Sequence, residues 1–440
     1  MSDPTPMDAA AVYAAVQAGQ ALVEQGRVLE AERMYERVLA AAPENIEARS
    51  ALGGLALRQG GYDRAAQLFG EAASQDPDNP RWLEGLGLAH LGARRLQQAC
   101  DALGRTAQLE PKLFIARLHY GWVLELLGRK HEALVNYFGA ITQAQTLGLW
   151  LSEATTAPGL RELVKHATRQ TRDGRKALFD EALGAVRQRH GTDALVRVTQ
   201  SLQGYLGEAA LDYPDPRQKP KFLYVPGLPT MAYFPRELFP WYALLEDNFA
   251  AIQEELQAVL GSETGLEPFL KFHSADDKQQ YLGGVADPTW DAFFFYRHGE
   301  RYEANCERCP RTAAVLDALP TLVHIRDHAP EVCFSVLTPG THILKHRGVT
   351  NTRLVTHLPL VVPENCALSV GGELHAWQEG RCVTFDDTFE HEAWNRSDRT
   401  RVVMLLDVWN PYLSQAECDA VTELVEAIGT FNRECGVAAE

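Results

Sequence analysis

The chain has 440 residues, 46% apolar and 23% charged, and its 58 acidic against 42 basic side chains leave a net charge of −16. That length exceeds one ordinary core and predicts about two or three domains. The acid excess argues against a nucleic acid or an anionic membrane as the main partner, because those surfaces are held by clustered cations.

The first residues, Met1-Ser2-Asp3-Pro4, lack the basic segment and apolar run of a signal peptide. No apolar stretch approaches the roughly 18 residues of a membrane span. Eight cysteines, mostly isolated, predict a reducing compartment, with the cytoplasm as the expected location. Cys306 and Cys309 form the only C-x-x-C. With no second pair at zinc spacing, they read as two ordinary thiols.

The N-terminal third is periodic. Pro43, Pro77 and Pro111 recur every 34 residues, as do Gly19, Gly53, Gly87 and Gly121, and Ala31, Ala65, Ala99 and Ala133. Large residues follow each alanine by four positions: Tyr35, Phe69, Leu103 and Tyr137. Small residues where two helices cross, a large knob and a closing proline make the tetratricopeptide signature. Four units are expected over residues 12–145, as an α-solenoid that docks a peptide or protein partner or serves as a passive module.

Residues 146–212 show apolar positions at helical spacing and predict a helical cap. Three prolines in Pro214-Asp215-Pro216-Arg217-Gln218-Lys219-Pro220 predict an extended linker over 213–220. Beyond it the texture becomes strand-like, at Phe222–Val225, Phe293–Tyr296, Phe334–Leu337, Arg353–Leu358 and Arg401–Leu406, with one helix from about Pro240 to Leu260. Many short strands punctuated by Gly and Pro predict a sandwich or barrel over 221–425, a double-stranded β-helix (jelly roll) being one such closure. Residues 426–440 read as a C-terminal tail. The fold class is therefore multidomain α + β.

Chemistry concentrates near the C-terminus. His346 lies in Thr341-His342-Ile343-Leu344-Lys345-His346-Arg347-Gly348, and His391 follows Phe385-Asp386-Asp387-Thr388-Phe389-Glu390, with Arg401 ten residues later. Two imidazoles on separate strands and a following arginine suit an Fe(II)/2-oxoglutarate oxygenase, with the histidines on the metal and the arginine on the far carboxylate of the co-substrate. The usual third ligand, a carboxylate two residues after the first histidine, is replaced by Gly348. Glu390 and Glu392 would face away from His391 on a strand. Asp387, four residues before it, is too far unless the chain turns.

The stretch from Ser335 to Asn410 resembles the aspartyl/asparaginyl β-hydroxylase family. The resemblance rests on Pro339-Gly340-Thr341-His342, His346-x-Gly348-x-Thr350-Asn351-x-Arg353-Leu354, His357-Leu358, Trp377-Gln378-Glu379-Gly380, the His391 segment, Arg401 and Asp407-Val408-Trp409-Asn410-Pro411. It implies a jelly-roll oxygenase domain that binds Fe(II) through His346, His391 and water, with glycine at 348 as in the family. It assigns 2-oxoglutarate to Ser335, His357 and Arg401 and dioxygen as the oxidant; it gives His342 no ligand role, and that residue reads as a supporting one. It also implies hydroxylation of an unactivated C–H on an amino-acid side chain of a peptide or protein.

Some positions depart from the family. Val355 replaces an arginine near the site, and Arg353, on the same strand face, is a candidate substitute. Asp291, His298 and Cys333 stand where the family has basic or amide residues that hold an acidic substrate. Tyr296, Arg297 and His298 are candidate substrate contacts. The competing reading is a tetratricopeptide adaptor whose β domain has lost catalysis.

Overall fold

The computed structural model describes residues 7–262, 265–272 and 274–437. These residues form two compact units. One runs to Ala177 and includes the residues from Phe431 onward, and the other runs from Leu178 to Thr430.

The first unit begins with eight helices, α1–α8, spanning Ala9–Glu24, Val28–Ala41, Ile46–Arg58, Tyr62–Gln75, Pro80–Gly92, Leu96–Leu109, Phe114–Leu126 and Lys130–Thr146. They pair as the 34-residue period predicts, and α2, α4 and α6 each end two residues before the periodic proline. The four glycines and four large residues are matched sockets and knobs. A Cβ placed on Gly19, Gly53, Gly87 or Gly121 would lie 2.6, 2.8, 2.5 or 2.7 Å from Tyr35, Phe69, Leu103 or Tyr137. Only a hydrogen at that position lets the two helices of a repeat close around the knob. The helices expected around 160–165 and 178–183 are one, Arg161–Ala182.

The second unit holds two antiparallel sheets. Eight strands carry the argument: β1 Trp290–Arg297, β2 Val332–Leu337, β3 His342–His346, β4 Arg353–Val361, β5 Cys366–Val370, β6 Val383–Phe385, β7 His391–Asn395 and β8 Arg401–Trp409. The larger sheet runs β6-β4-β8-β2-β1, extended by two-residue strands at Tyr233–Phe234, Glu267–Pro268 and Glu300–Arg301. The smaller runs β5-β7-β3, extended by Glu373–His375 and Leu282–Gly283. From β2 to β5 and from β6 to β8, successive strands alternate between sheets, the winding that a jelly roll requires.

Strand periodicity divides the larger sheet between two environments. Val402, Met404, Leu406 and Val408 of β8 pack with Ile252 and Leu256 of helix Phe249–Leu260, while Val403 faces the smaller sheet through Leu368 and Val370.

Four expectations need correcting. The stretch over 213–220 is no free linker: it lies inside the second unit, and Gln218 is buried and bridged to Phe389. Its prolines forbid a helix, but Gln218 and Lys219 keep the N–H groups that let an extended segment pack. Phe222–Val225 makes an isolated bridge at Leu223 instead of a strand. The helix over 240–260 breaks at Asn248 into Tyr242–Asp247 and Phe249–Leu260. The tail expected from 426 begins inside the helix Gln415–Glu434, whose apolar stripe includes the buried Val421, Leu424 and Ile428. Among the described residues no helix is long and apolar enough to cross a membrane.

The socket geometry separates two substitutions. Gly121→Leu drives into the Tyr137 ring and should cost about 1–3 kcal/mol by overpacking. Gly54→Ala, in open space on α3, should stabilise by about 0.5–1 kcal/mol through helix propensity alone. Chemical denaturation of the two variants beside the parent reads both signs.

Candidate functional site

Alternation along the strands turns Ser335 of β2, His357 of β4 and Arg401 of β8 toward the smaller sheet, where His346 ends β3 and His391 begins β7. The five residues line one cavity of about 180 Å³. His346 and His391 are direct partners across the β3–β7 ladder, and their ring centroids lie 4.0 Å apart.

The histidines are oriented alike. Nδ1 of His346 lies 2.8 Å from the Leu344 carbonyl oxygen, and Nδ1 of His391 lies 3.0 Å from that of Phe389. A carbonyl only accepts, so each Nδ1 carries the proton and each Nε2 keeps a free lone pair. Burial drives the His391 pKa down to about 3, with neighbouring His346 adding to the effect, and burial also lowers His346. Two neutral imidazoles with backbone-fixed tautomers are a ready donor pair for a metal.

Arg401 is 1% exposed. Its Nη1 donates to the Ser335 carbonyl at 3.4 Å, its guanidinium lies 5.0 Å from the Trp377 ring centroid, and its Nε has no partner. No carboxylate pairs with it among the described residues. Burial pulls its pKa down to about 10. A buried, unpaired guanidinium in a cavity is a receptor for an anion. Beside it, Trp290 Nε1 donates to Ser335 Oγ at 2.9 Å. The buried Nδ1 of His357 also lacks a partner, and burial, then Arg401, hold this ring neutral.

Gly348 explains the apparent gap in the triad. A Cβ there would lie 2.1 Å from Cγ of Asp387. The chain does turn before His391: Phe389 N–H donates to the Asp386 carbonyl at 3.4 Å, and Gly348 N–H donates to the Asp387 carbonyl at 2.6 Å. The Asp387 carboxyl therefore occupies the space into which a side chain at 348 would project. Burial raises its pKa to about 7 against the opposing pull of Arg353, and its Oδ1 is unpartnered. Among the described residues no three His, Cys, Asp or Glu side chains group to hold a metal. A metal here would rest on two histidines and non-protein ligands.

The other candidates fall into place around this cavity. His342 lies across from Glu392, its Nε2 2.8 Å from Oε2, and is not in the cavity lining. Glu390 pairs outward with Lys345 at 3.3 Å and Arg347 at 3.4 Å. Val355 is a cavity wall. Arg353 also lines the cavity, but its guanidinium is tied to the Asp407 carboxylate. Cys333 is fully buried. A second cavity of about 660 Å³ shares Phe269, Glu331 and Arg353 with the first, and Arg297 and His298 line it. His298 there pairs with Glu331 at 2.9 Å and Arg297 with Glu267 at 2.8 Å. Tyr296 is turned instead to Arg301, whose Nη1 donates to its hydroxyl at 2.8 Å, and Asp291 lines neither cavity. Sequence reasoning gave no role to Trp290, which donates to Ser335, and quoted Trp377 only as part of a motif, without its place against Arg401. It undervalued Asp387, whose signal is an acid four residues before a histidine when the first histidine is followed by x-Gly.

Residues 246–411 match the family described as Aspartyl/Asparaginyl beta-hydroxylase, and residues 22–88 match the tetratricopeptide repeat. The Aspartate beta-hydroxylase domain-containing protein 2 of Xenopus tropicalis is 38% identical over 47% of this chain and 55% of its own. The Ornithine lipid ester-linked acyl 2-hydroxylase of Rhizobium tropici is 38% identical over 40% of this chain and 60% of its own. The Aspartyl/asparaginyl beta-hydroxylase of Mus musculus is 28% identical over 92% of this chain and 55% of its own. The chain thus spans little more than half the length of these relatives.

Because Arg401 is a buried cation without a counter-charge, Arg401→Met should raise the stability of the ligand-free protein, by about 1–4 kcal/mol. Denaturation without added metal or carboxylates checks this, and a loss of stability would mean that the arginine is structural.

Proposed function

This chain belongs to the aspartyl/asparaginyl β-hydroxylase family, and from that membership we propose that it is an Fe(II)/2-oxoglutarate-dependent dioxygenase. Its acceptor is an unactivated C–H bond of an amino-acid side chain in a peptide or protein, recruited by the tetratricopeptide array. One observation carries the reading: an unpaired buried guanidinium shares a cavity with two histidines whose free Nε2 atoms are fixed by backbone hydrogen bonds.

His346 and His391 would hold the iron. Arg401 would take the distal carboxylate of 2-oxoglutarate with its planar fork, and Ser335 Oγ, oriented by Trp290, would add a hydroxyl donor. His357 stays neutral and so presents a hydrogen-bonding ring rather than a competing cation. When bound, iron would activate dioxygen with 2-oxoglutarate as the two-electron reductant: the co-substrate would lose carbon dioxide to give succinate, which takes one oxygen atom, and the other would enter the acceptor C–H bond. The apolar side chains of Leu368, Phe385 and Leu405 limit water in the cavity. Val355 leaves no charge where the family has an arginine, and Arg353, though held by Asp407, keeps a guanidinium on the same wall.

The Rhizobium tropici relative is named for an acyl chain, so acyl lipids are the second acceptor class to offer beside peptides. A reducing compartment, the cytoplasm, suits eight buried free thiols.

The test is succinate formation by purified protein given Fe(II), 2-oxoglutarate, ascorbate and oxygen, beside His391→Ala and Arg401→Met. The parent should produce succinate, His391→Ala should lose both iron and turnover, and Arg401→Met should raise the 2-oxoglutarate KM at least tenfold. A parent that makes no succinate and binds neither iron nor 2-oxoglutarate is an adaptor, and the enzyme reading falls.

A further inference from the structure

The segment Arg217–Val225 touches both loops that carry the histidines. At one end Gln218 bridges to Phe389, two residues before His391, and Lys219 N–H donates to the Thr388 carbonyl at 3.0 Å. At the other, Lys221 N–H donates to the Gly348 carbonyl at 3.3 Å, Phe222 N–H donates to that of Val349 at 2.9 Å, and Leu223 bridges to Thr350. Val225 and Asn351 exchange a reciprocal pair of hydrogen bonds, both 2.8 Å. The Asn351 amide thus pairs with the backbone of this segment as a β-strand would.

One side chain of this segment reaches the interior of the turn. Gln218, 1% exposed, donates Nε2–H to Asp386 Oδ2 at 2.6 Å. The other carboxylate oxygen of Asp386 accepts the Thr388 N–H at 2.9 Å and the Thr388 hydroxyl at 2.5 Å. The Asp386–Thr388 turn is therefore closed from within by Thr388 and from outside by Gln218. That turn presents the Asp387 carboxyl to Gly348 and leads directly into His391.

We propose that Arg217–Val225 is a strap that sets the metal site and that Gln218 is a positioning residue, holding the Asp386–Thr388 turn so that Asp387 and His391 keep their places. The proposal rests on the metal-site reading above and goes beyond it, because the strap contributes no ligand. Glutamine suits the position: its neutral amide donates to a buried carboxylate, a glutamate would oppose that carboxylate with a second negative charge, and a leucine would leave it without a donor. Groups that orient ligands from behind the metal shell commonly tune metal affinity 10–100-fold.

The experiment uses the full chain and Co(II) as the probe, titrated under anaerobic conditions and followed by visible absorption, with thermal melts alongside. Gln218→Glu and Gln218→Leu should weaken Co(II) binding about tenfold or more. The reversed pair Gln218→Glu/Asp386→Asn restores one donor facing one carboxylate and should recover most of that loss. The 2-oxoglutarate KM should stay near the parent value, since Arg401 and Ser335 lie on other strands. A folded Gln218→Glu protein that binds Co(II) as the parent does overturns the strap while the metal site stands. Failure of the reversed pair to recover affinity, with both proteins folded by their melts, overturns the pairing role of Gln218. A parent that binds no Co(II) overturns the metal site and the strap together.

Discussion

The site depends on one register. His346 and His391 face each other across β3 and β7, and they do so because the ladder carries a bulge: His391 pairs with His346, while Ala393 pairs with Ile343. A two-residue step along β7 is thus matched by a three-residue step along β3. Side chains alternate with a period of two, so a one-residue slip at this point would turn an imidazole out of the cavity. The bulge lets the rest of both strands keep their apolar faces inward and still leaves both rings on one side. Backbone carbonyls two residues before each histidine then set the tautomers. The placing of this imidazole pair is thus a property of backbone pairing before it is one of side chains.

Around that pair the cavity is built from groups that fold at a cost. Arg401 and His357 are buried beside each other without an acidic partner, and Asp387 is buried with one oxygen unmatched. Each would be more comfortable in water. They are held there by the larger sheet, whose other face packs continuously against helices through residues such as Phe334, Leu354, Met404 and Leu406. Strain concentrated in one place and supported by an apolar layer behind it is what a site prepared for a charged ligand looks like. On the same wall Val355 is apolar, and Arg353, two residues earlier on the strand, is anchored by Asp407.

The repeat unit follows a simpler rule. Its order comes from steric matching within each repeat, a glycine on the first helix receiving a large side chain from the second. Such contacts are local in sequence, and each repeat restates them, so the architecture needs few long-range decisions. The β unit has the opposite character. Strands remote in the chain are neighbours, and the wall holding Ser335, His357 and Arg401 is assembled from β2, β4 and β8 through long-range pairing.

That contrast explains what was legible in the chain. The 34-residue period by itself determined the helical array, because glycine, alanine, knob and proline act on neighbours within one repeat. Strand alternation and the spacing of His346, His391 and Arg401 likewise determined that a β unit would carry a donor pair and a cation. Tertiary structure alone decided the rest. Asp387 reaches the space beside Gly348 only because the chain turns after β6, and no spacing rule measures a turn. The prolines near 214–220 read as a linker because they exclude helix, yet whether an extended segment swings free or straps a site depends on which distant carbonyls and carboxylates await its N–H groups. Gln218 found Asp386, 168 residues away. The bulge that brings the histidines face to face is set by the partner strand, which neither strand's own sequence specifies.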